Sequence, residues 1–308
     1  MTRSETAATG IPGAEIAADG VPRGQAVLDR LVARLDLERI EVNLFRGTSP
    51  TESPPRVFGG QVAGQALVAA GRTVPPDRGV HSLHAYFIRP GDPTVPIVYD
   101  VERVRDGRSF TTRRVLAIQH GDPIFTLSAS FQLPQPGLEH SVDMPAGVPD
   151  PESLPDMGTR IAGMRAEVGA FQRLPRPLDI RYVREPVWSP DYEPTTEPVR
   201  VWMRADGTLP DDRLLHVCLL TYASDLTLLN SVLARHRLPG PQEDVRRASL
   251  DHAMWFHHGF RADEWFLYEC FSPVASGARG LATGRFFAAD GRLIATTVQE
   301  GLVRVGGQ

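Results

Sequence analysis

Between Leu214 and Leu233 the chain reads LLHVCLLTYASDLTLLNSVL, and the architecture turns on how that run is read. Leu215, Cys218, Leu219, Tyr222, Leu226, Leu229 and Leu233 recur at the i, i+3, i+4, i+7 spacing of a helix with one buried face. The pattern predicts a central helix that continues to Arg237. Its one acid is Asp225. A carboxylate in so apolar a run is costly to ionise alone, so it is expected to be hydrogen-bonded, to carry a shifted pKa, or to do chemistry. The structural alternative is that Ala-Ser-Asp interrupts the helix and caps a second helical piece. The run is long enough to raise a membrane span, but His216, Asp225 and Asn230 make spanning expensive, and a soluble core helix is expected.

Working outward, 308 residues suffice for two domains with ordinary cores. A formal net charge of −4 offers no excess of Lys and Arg for a polyanion, so nucleic acid is not an expected partner. Cys218 and Cys270 both sit in apolar stretches without metal-ligand spacing, as expected for buried thiols in a reducing cytoplasm. The opening MTRSETAATGIPGAEIAADG lacks an apolar signal region, so residues 1–22 are expected to be a disordered tail and the chain cytoplasmic. The closing VRVGGQ matches no lipidation or peroxisomal address.

Residues 23–36 form a short amphipathic pattern, and RIEVNLFRG follows as a strand. Phe58 to Ala70, FGGQVAGQALVAA, is rich in small residues, which favours close backbone approach. Two readings stay open there: a tight contact between helix and sheet, or a helix terminus facing a ligand. It is not a phosphate loop, because it lacks both the Lys-Ser/Thr of a Walker motif and a spaced dinucleotide fingerprint.

VHSLHAYFIRPG, PIVYDVERVRDG, SFTTRRVLAIQHG and PIFTLSASFQ then read as strands of an antiparallel meander, separated by Pro-Gly, Asp-Gly and Gly-Asp turn signals. Residues 134–178 are Pro-rich and form the expected linker, with a short helix near Ile161 to Gly169. Beyond it the plan repeats: IRYVRE and VRVWMRADG, the helix, then ASLDHAMWFHHGF, EWFLYECFS, RGLATGRFFAADG and RLIATTVQEGLVRV. HSLHAYF in the first half aligns with ASLDHAMWF in the second. Two copies of strand, helix and meander are the simplest account.

FGGQVAGQAL, VHSLHAYFIRPGD, RDGRSFTTRRV, ASLDHAMWFHH and TVQEGLVR resemble the acyl-CoA thioesterase II family, over a range from about Arg39 to Arg304. The resemblance implies an α+β double hotdog, two tandem hotdog domains whose joined antiparallel sheets wrap two central helices. The domains would be residues 23–133 and 179–308, the second carrying the catalytic residues. It also implies hydrolysis of fatty acyl-CoA to free fatty acid and CoA by Asp225, Ser249 and Gln299. Such residues can hold one water for direct attack on a thioester, with the carboxylate accepting a proton. Gly60 and Gln61 are candidates to bind substrate, since helix-start N–H groups can stabilise an oxyanion. No metal or cofactor is expected, the partner is acyl-CoA without membrane insertion, and exposed sheet edges predict a homo-oligomer. In the first half, Gln61 or a neighbouring Gly would stand opposite Asp225 and about Ser130 opposite Gln299, so one site per chain is expected.

Other residues compete. Asp251 would share a strand face with Ser249 and rivals Asp225 as the acid. Arg105, Arg108, Arg113 and Arg114 are candidates for CoA phosphates, or else solvated strand faces. His81 and His84 face opposite sides of a strand and have no acid at ligand spacing, which argues against a metal. His252, His257 and His258 read as strand-end or loop histidines, one of which can line the pocket. No G-x-S-x-G elbow is present, which disfavours a covalent serine hydrolase. Two alternative functions remain: a hotdog-fold enoyl-CoA hydratase or dehydratase, and a non-catalytic acyl-CoA-binding protein.

Overall fold

Period-two alternation sets the strands. In Phe110–Gln119 the buried positions are Thr111, Arg113, Val115, Ala117 and Gln119, so one face of the strand is sealed and the other is more open. The structure, a computed structural model, describes residues 10–50, 55–164, 170–236 and 245–305. In order these form β1 (Glu15–Ile16), β2 (Pro22–Arg23), α1 (Gln25–Leu35), β3 (Glu38–Glu41), β4 (Leu44–Gly47), α2 (Gly59–Gly71), β5 (Gly79–Phe87), β6 (Ile97–Asp106), β7 (Phe110–Gln119) and β8 (Asp122–Gln132). The connecting segment holds α3 (Met157–Ala162). Then come β9 (Leu178–Tyr182), β10 (Val199–Ala205), α4 (Arg213–Ser224), α5 (Asn230–Leu233), β11 (Val245–Ser249), β12 (Asp251–Phe256), β13 (Phe266–Ser276), β14 (Arg279–Ala288) and β15 (Leu293–Val305).

Strands β3 to β15 make one sheet in the order β3-β4-β6-β7-β8-β5-β12-β15-β14-β13-β10-β9, with β11 pairing β15. The order is a palindrome of roles. The β5·β12 ladder, with Asp251 opposite Tyr86 and Trp255 opposite Ser82, joins two equivalent six-position halves. This is the double hotdog that the resemblance implied. The hairpin between β7 and β8 closes on His120 and Gly121, both at positive φ, the geometry whose twist matches the flanking strands. RIEVNLFRG, expected as one strand, is the β3–β4 hairpin turning at Val42 and Asn43.

Inside the sheet α2 and α4 run antiparallel against each other. Residues Gly60 to Ala70 of α2 are all buried. A Cβ on Gly60 would stand 2.5 Å from Tyr222 O, one on Gly64 3.2 Å from Cys218 O, and one on Gly71 2.6 Å from Leu214. The small residues of FGGQVAGQALVAA therefore serve mainly a helix-to-helix contact, not the helix-to-sheet contact expected. Their placement brings the N-terminus of α2 to the C-terminal end of α4.

The central helix is shorter than its apolar pattern predicts. It ends at Ser224, residues 225–229 form turns, and α5 supplies one further turn; Arg237 lies outside the described residues. Asp225 is the C-cap of α4, at φ −86° and ψ −4°, and does not cap α5, whose N-cap is Leu229.

Two other expectations change. Residues 10–22, expected as part of a disordered tail, are ordered: β1 pairs β2, Ile11 and Val21 are buried, and Asp19 takes the guanidinium of Arg176. Residues 1–9 lie outside the described part. In the linker the helix spans Met157–Ala162, ahead of the expected place, while 165–169 are not described. Met144, Val148 and Leu154 of the linker pack on Trp202, Leu267 and Phe287 of the second-half sheet.

Candidate active site

Where α4 ends, three side chains from distant parts of the chain meet. Gln299 Nε2 donates to Asp225 Oδ1 at 2.9 Å and to Ser249 Oγ at 2.7 Å, and Ser249 Oγ donates to the same Oδ1 at 3.3 Å. The backbone N–H of Gly60, in the first turn of α2, also donates to the Asp225 carboxylate. Burial pushes the Asp225 carboxyl from its ordinary 3.8 up to about 6, against the opposing pull of the Gln299, Gly60 and Ser249 donors. Desolvation wins because those donors are neutral. The result is a carboxylate ionised at neutral pH yet basic enough to accept a proton.

The position of Asp225 is enforced from three sides. On one, glycine is required at position 59, because a Cβ there would stand 2.6 Å from Asp225 Oδ2 and 2.7 Å from Phe87. On another, Tyr268 Oη donates to Ser224 O at 3.0 Å, holding the last carbonyl before the cap. On the third, Ser224 Oγ lies 2.8 Å from His252 Nε2. Thr297 Oγ1 lies 3.4 Å from the same nitrogen; Ser224 Oγ donates to Thr221 O and Thr297 Oγ1 to Ala253 O, so both hydroxyl protons are taken. His252 is therefore the donor through Nε2–H. Burial lowers the His252 pKa to about 4, so the ring is neutral at physiological pH. His252 was read as a strand-end histidine; its fixing of Ser224 was missed, because nothing in sequence spacing links residue 252 to residue 224.

Beside the trio opens an apolar cleft. Phe58, Tyr222 and Leu226, the last the residue after Asp225, line it together with Met157, Phe171 and Leu174 of the linker region, and the Phe171 ring packs on Phe58, centroids 5.7 Å apart; the trio itself is not in its lining. Phe58 packs edge-on to Tyr222, ring centroids 5.0 Å apart. Gln61 also lines the cleft, but its side-chain amide donates to Thr48 O and Ser49 Oγ, so it braces the wall.

The competing residues fall elsewhere. Asp251 Oδ1 accepts the backbone N–H of Glu300 at 2.7 Å, a sheet-stabilising role outside the trio. Arg113 is fully buried and donates to Thr73 Oγ1 at 2.8 Å, Thr73 O at 3.0 Å and Asp106 at 2.6 Å. It sits beyond the C-terminal end of α2, about 20 Å along the helix axis from Gly60 at 1.5 Å per residue. Arg114 pairs with Glu102 across the β6–β7 ladder. These arginines, Arg105 and Arg108 included, belong to the hairpin at the end of the sheet away from Ser249, and are not placed for a ligand reaching Asp225.

His81 Nε2 lies 2.8 Å from Ser130 Oγ and His84 packs edge-on to Trp255. His257 Nε2 meets Thr296 Oγ1 and His258 Nδ1 meets Leu293 O. Burial pushes both cysteine thiols well above their ordinary range. Among the described residues there is no group of three His, Cys, Asp or Glu able to hold a metal ion, and no helix is long and apolar enough to cross a membrane.

The palindrome of strands also locates the counterpart of the trio in the first half. The residue that caps α2 as Asp225 caps α4 is Arg72, not Gln61, which lies at the opposite end of α2. Ser82 and Ser130 are cross-strand partners, but Arg113 and Thr73 occupy the space beside the helix end. The acids there, Asp36 on Arg72 and Asp106 on Arg113, are largely exposed and taken up in ion pairs, unlike the buried Asp225.

The chain is a double hotdog with two paired central helices, and where they meet stands a buried carboxylate whose pKa is raised. A family model described as acyl-CoA thioesterase matches residues 184–302, and one described as acyl-CoA thioesterase N-terminal domain matches residues 48–132. The chain is 43% identical over 298 residues to acyl-coenzyme A thioesterase 8 of Homo sapiens, covering 93% of this chain and 92% of that one. It is 40% identical over 287 residues to acyl-CoA thioesterase 2 of Haemophilus influenzae, covering 90% and 98%. The crystal structure of acyl-CoA thioesterase II TesB2 from Mycobacterium marinum superimposes with a TM-score of 0.73 at 45% identity, covering 90% and 99%. The chain belongs to the acyl-CoA thioesterase family.

Proposed function

We propose that this chain hydrolyses fatty acyl-CoA to free fatty acid and CoA by direct attack of a water held by Asp225, Ser249 and Gln299. The observation that carries the proposal is the convergence of all three side chains, within hydrogen-bond distance of one another, on the N-terminal turn of α2. Asp225 accepts a proton from the water as its oxygen bonds to the thioester carbonyl carbon. Ser249 and Gln299 orient that water and the carboxylate. The carbonyl oxygen, gaining negative charge, faces the positive end of α2, where Gly60 lies. The tetrahedral species collapses with cleavage of the C–S bond, and the proton on Asp225 leaves with the CoA thiol. The acyl chain occupies the cleft lined by Phe58, Tyr222 and Leu226.

The division into hotdog units over 23–133 and 179–308, joined by 134–178, rests on the mirrored strand order, and Asp225, Ser249 and Gln299 all fall in the second unit. A thiol-release assay with saturated acyl-CoA esters of increasing length tests the activity. No release at any length would overturn it, and a saturated substrate separates hydrolysis from hydration of a double bond.

Two outcomes test the details. Ser249→Thr keeps most turnover because the hydroxyl survives, whereas Ser249→Ala and Gln299→Ala each lower kcat by about 10- to 100-fold, as loss of a neutral hydrogen bond to a charged partner implies. Equal damage by Ser249→Thr and Ser249→Ala would remove the hydroxyl from the mechanism. Leu174→Trp narrows the cleft wall and lowers kcat/KM for long acyl chains by about tenfold or more relative to short ones, since each methylene in such a pocket carries about 1–3 kcal/mol. An unchanged chain-length profile would place the acyl group elsewhere.

A further inference from the structure

The segment Pro55–Arg56, just ahead of α2, faces β11 and the end of β15 across an open groove. Its charged lining is Arg56, Arg246, Arg247 and Arg304, and no acid is among the described lining residues. Elsewhere the arginines are commonly paired: Arg23 with Asp206, Arg200 and Arg285 with Glu269, Arg279 with Glu300. Among the described residues neither Arg246 nor Arg304 has a carboxylate partner.

The register sharpens the point. Arg246 and Arg304 are direct cross-strand partners in the β11·β15 ladder, and Ser249 pairs with Gly301 in the same ladder. Like charges directly opposite on two strands destabilise a sheet, so the pair is a cost unless an anion lies between the guanidinium groups. Arg247 shares a strand face with Ser249 and is held by donation from Nη1 to Asn230 Oδ1 at 3.1 Å. Arg246 is three residues from Ser249, about 10 Å at the rise of a strand; by the same alternation it and Arg304 lie on the other face of the sheet, which a ligand reaches round the edge of β11 that no described strand pairs. A pantetheine arm covers that separation. Arg56 lines the groove and Phe58, two residues on, lines the cleft, so the two come close at the start of α2. A thioester reaching from one to the other would pass the start of α2, where the Gly60 N–H meets Asp225.

We infer that this groove receives the nucleotide end of CoA, with Arg246 and Arg304 as a paired phosphate clamp and Arg56 and Arg247 flanking it. The assignment rests on the thioester-hydrolase reading above. Guanidinium groups suit it because they bind phosphate in two-pronged fashion and hold their charge at every working pH.

The test uses the full chain and two measurements. First, one acyl group is presented on CoA and on N-acetylcysteamine, which lacks the nucleotide. In Arg246→Ala/Arg304→Ala the preference in kcat/KM for the CoA ester falls by about 10- to 100-fold, mostly through KM, and its dependence on salt flattens. Arg246→Lys/Arg304→Lys, which keeps the charge, recovers part of the loss, whereas Arg105→Ala/Arg108→Ala at the far hairpin leaves the preference unchanged. Second, calorimetric binding of free CoA weakens by a similar factor in the double Ala variant. If the wild-type chain hydrolyses both esters and the double Ala variant keeps the same preference and the same affinity for CoA, the groove assignment is overturned while the hydrolase reading stands. If the wild-type chain hydrolyses neither ester, the hydrolase reading fails, and unchanged CoA affinity in the variant then removes the groove assignment too. CoA affinity lost in the variant supports the groove in either case.

Discussion

Asp225→Asn lowers turnover of an acyl-CoA thioester by about 10² to 10⁴ in a protein that remains folded, the range for removing a general base. An amide cannot take the water proton, yet it keeps the shape that Gly59, Phe87 and Gly60 surround. Combining it with Gln299→Ala costs less than the product of the single effects, because both groups serve one step. In the unmodified chain kcat/KM falls as pH drops through about 6, where Asp225 becomes protonated.

The same substitution stabilises the fold at neutral pH. The folded pKa, about 6, lies above the ordinary 3.8, so folding favours the protonated acid. That preference is fully present below pH 3.8 and is lost as pH rises through 6, leaving a buried carboxylate that costs on the order of 2–3 kcal/mol above it. Asn removes that cost, less whatever its NH₂ group loses by facing donors. The expected thermal midpoint is therefore a few degrees higher than wild type at pH 8, with the difference gone near pH 4. Asp251→Asn is the control: it weakens the contact to the Glu300 N–H and leaves the base in place. If Asp251→Asn abolished turnover in a folded protein and Asp225→Asn did not, the assignment of the acid would be wrong.

Gly60→Ala destabilises the protein and nearly abolishes turnover, although alanine is the better helix former by about 1 kcal/mol. The added Cβ meets Tyr222 O at 2.5 Å and Phe58 at 2.6 Å. The first neighbour is backbone of α4 and cannot rotate away, so the two helices must separate. Overpacking of this kind costs about 1–3 kcal/mol or more. Separation also withdraws the Gly60 N–H from Asp225, so activity falls further than stability does. Gly64→Ala is milder, since its nearest atom, Cys218 O, stands at 3.2 Å. Thermal unfolding and thiol release measure the two effects separately. Wild-type values for Gly60→Ala in both would mean that the helices do not depend on contact at this point.

Much of this was legible along the chain. Alternation in runs such as FTTRRVLAIQ identifies strands because a strand buries every second residue whatever its partner. Repetition of strand, helix and meander indicates two similar halves. The resemblance to the acyl-CoA thioesterase II family pointed to Asp225, Ser249 and Gln299, and the structure brings these three side chains together.

What the chain could not disclose is which burial belongs to which partner. Leu226 and Leu229 continue a helical period through the turns that follow Ser224, because packing buries them irrespective of backbone hydrogen bonding. The small-residue face of α2 announces close approach but not that α4 is what approaches. Arg113 and Arg246 look alike as strand arginines, yet one is sealed against Thr73 and the other opens on a groove beside Ser249. His252 holds Ser224 across 28 residues of chain. Local period and turn chemistry are set by neighbours in sequence and so determine the elements. Charge state, helix ends and the identity of facing side chains depend on groups brought together by sheet closure, and only the tertiary structure decides them.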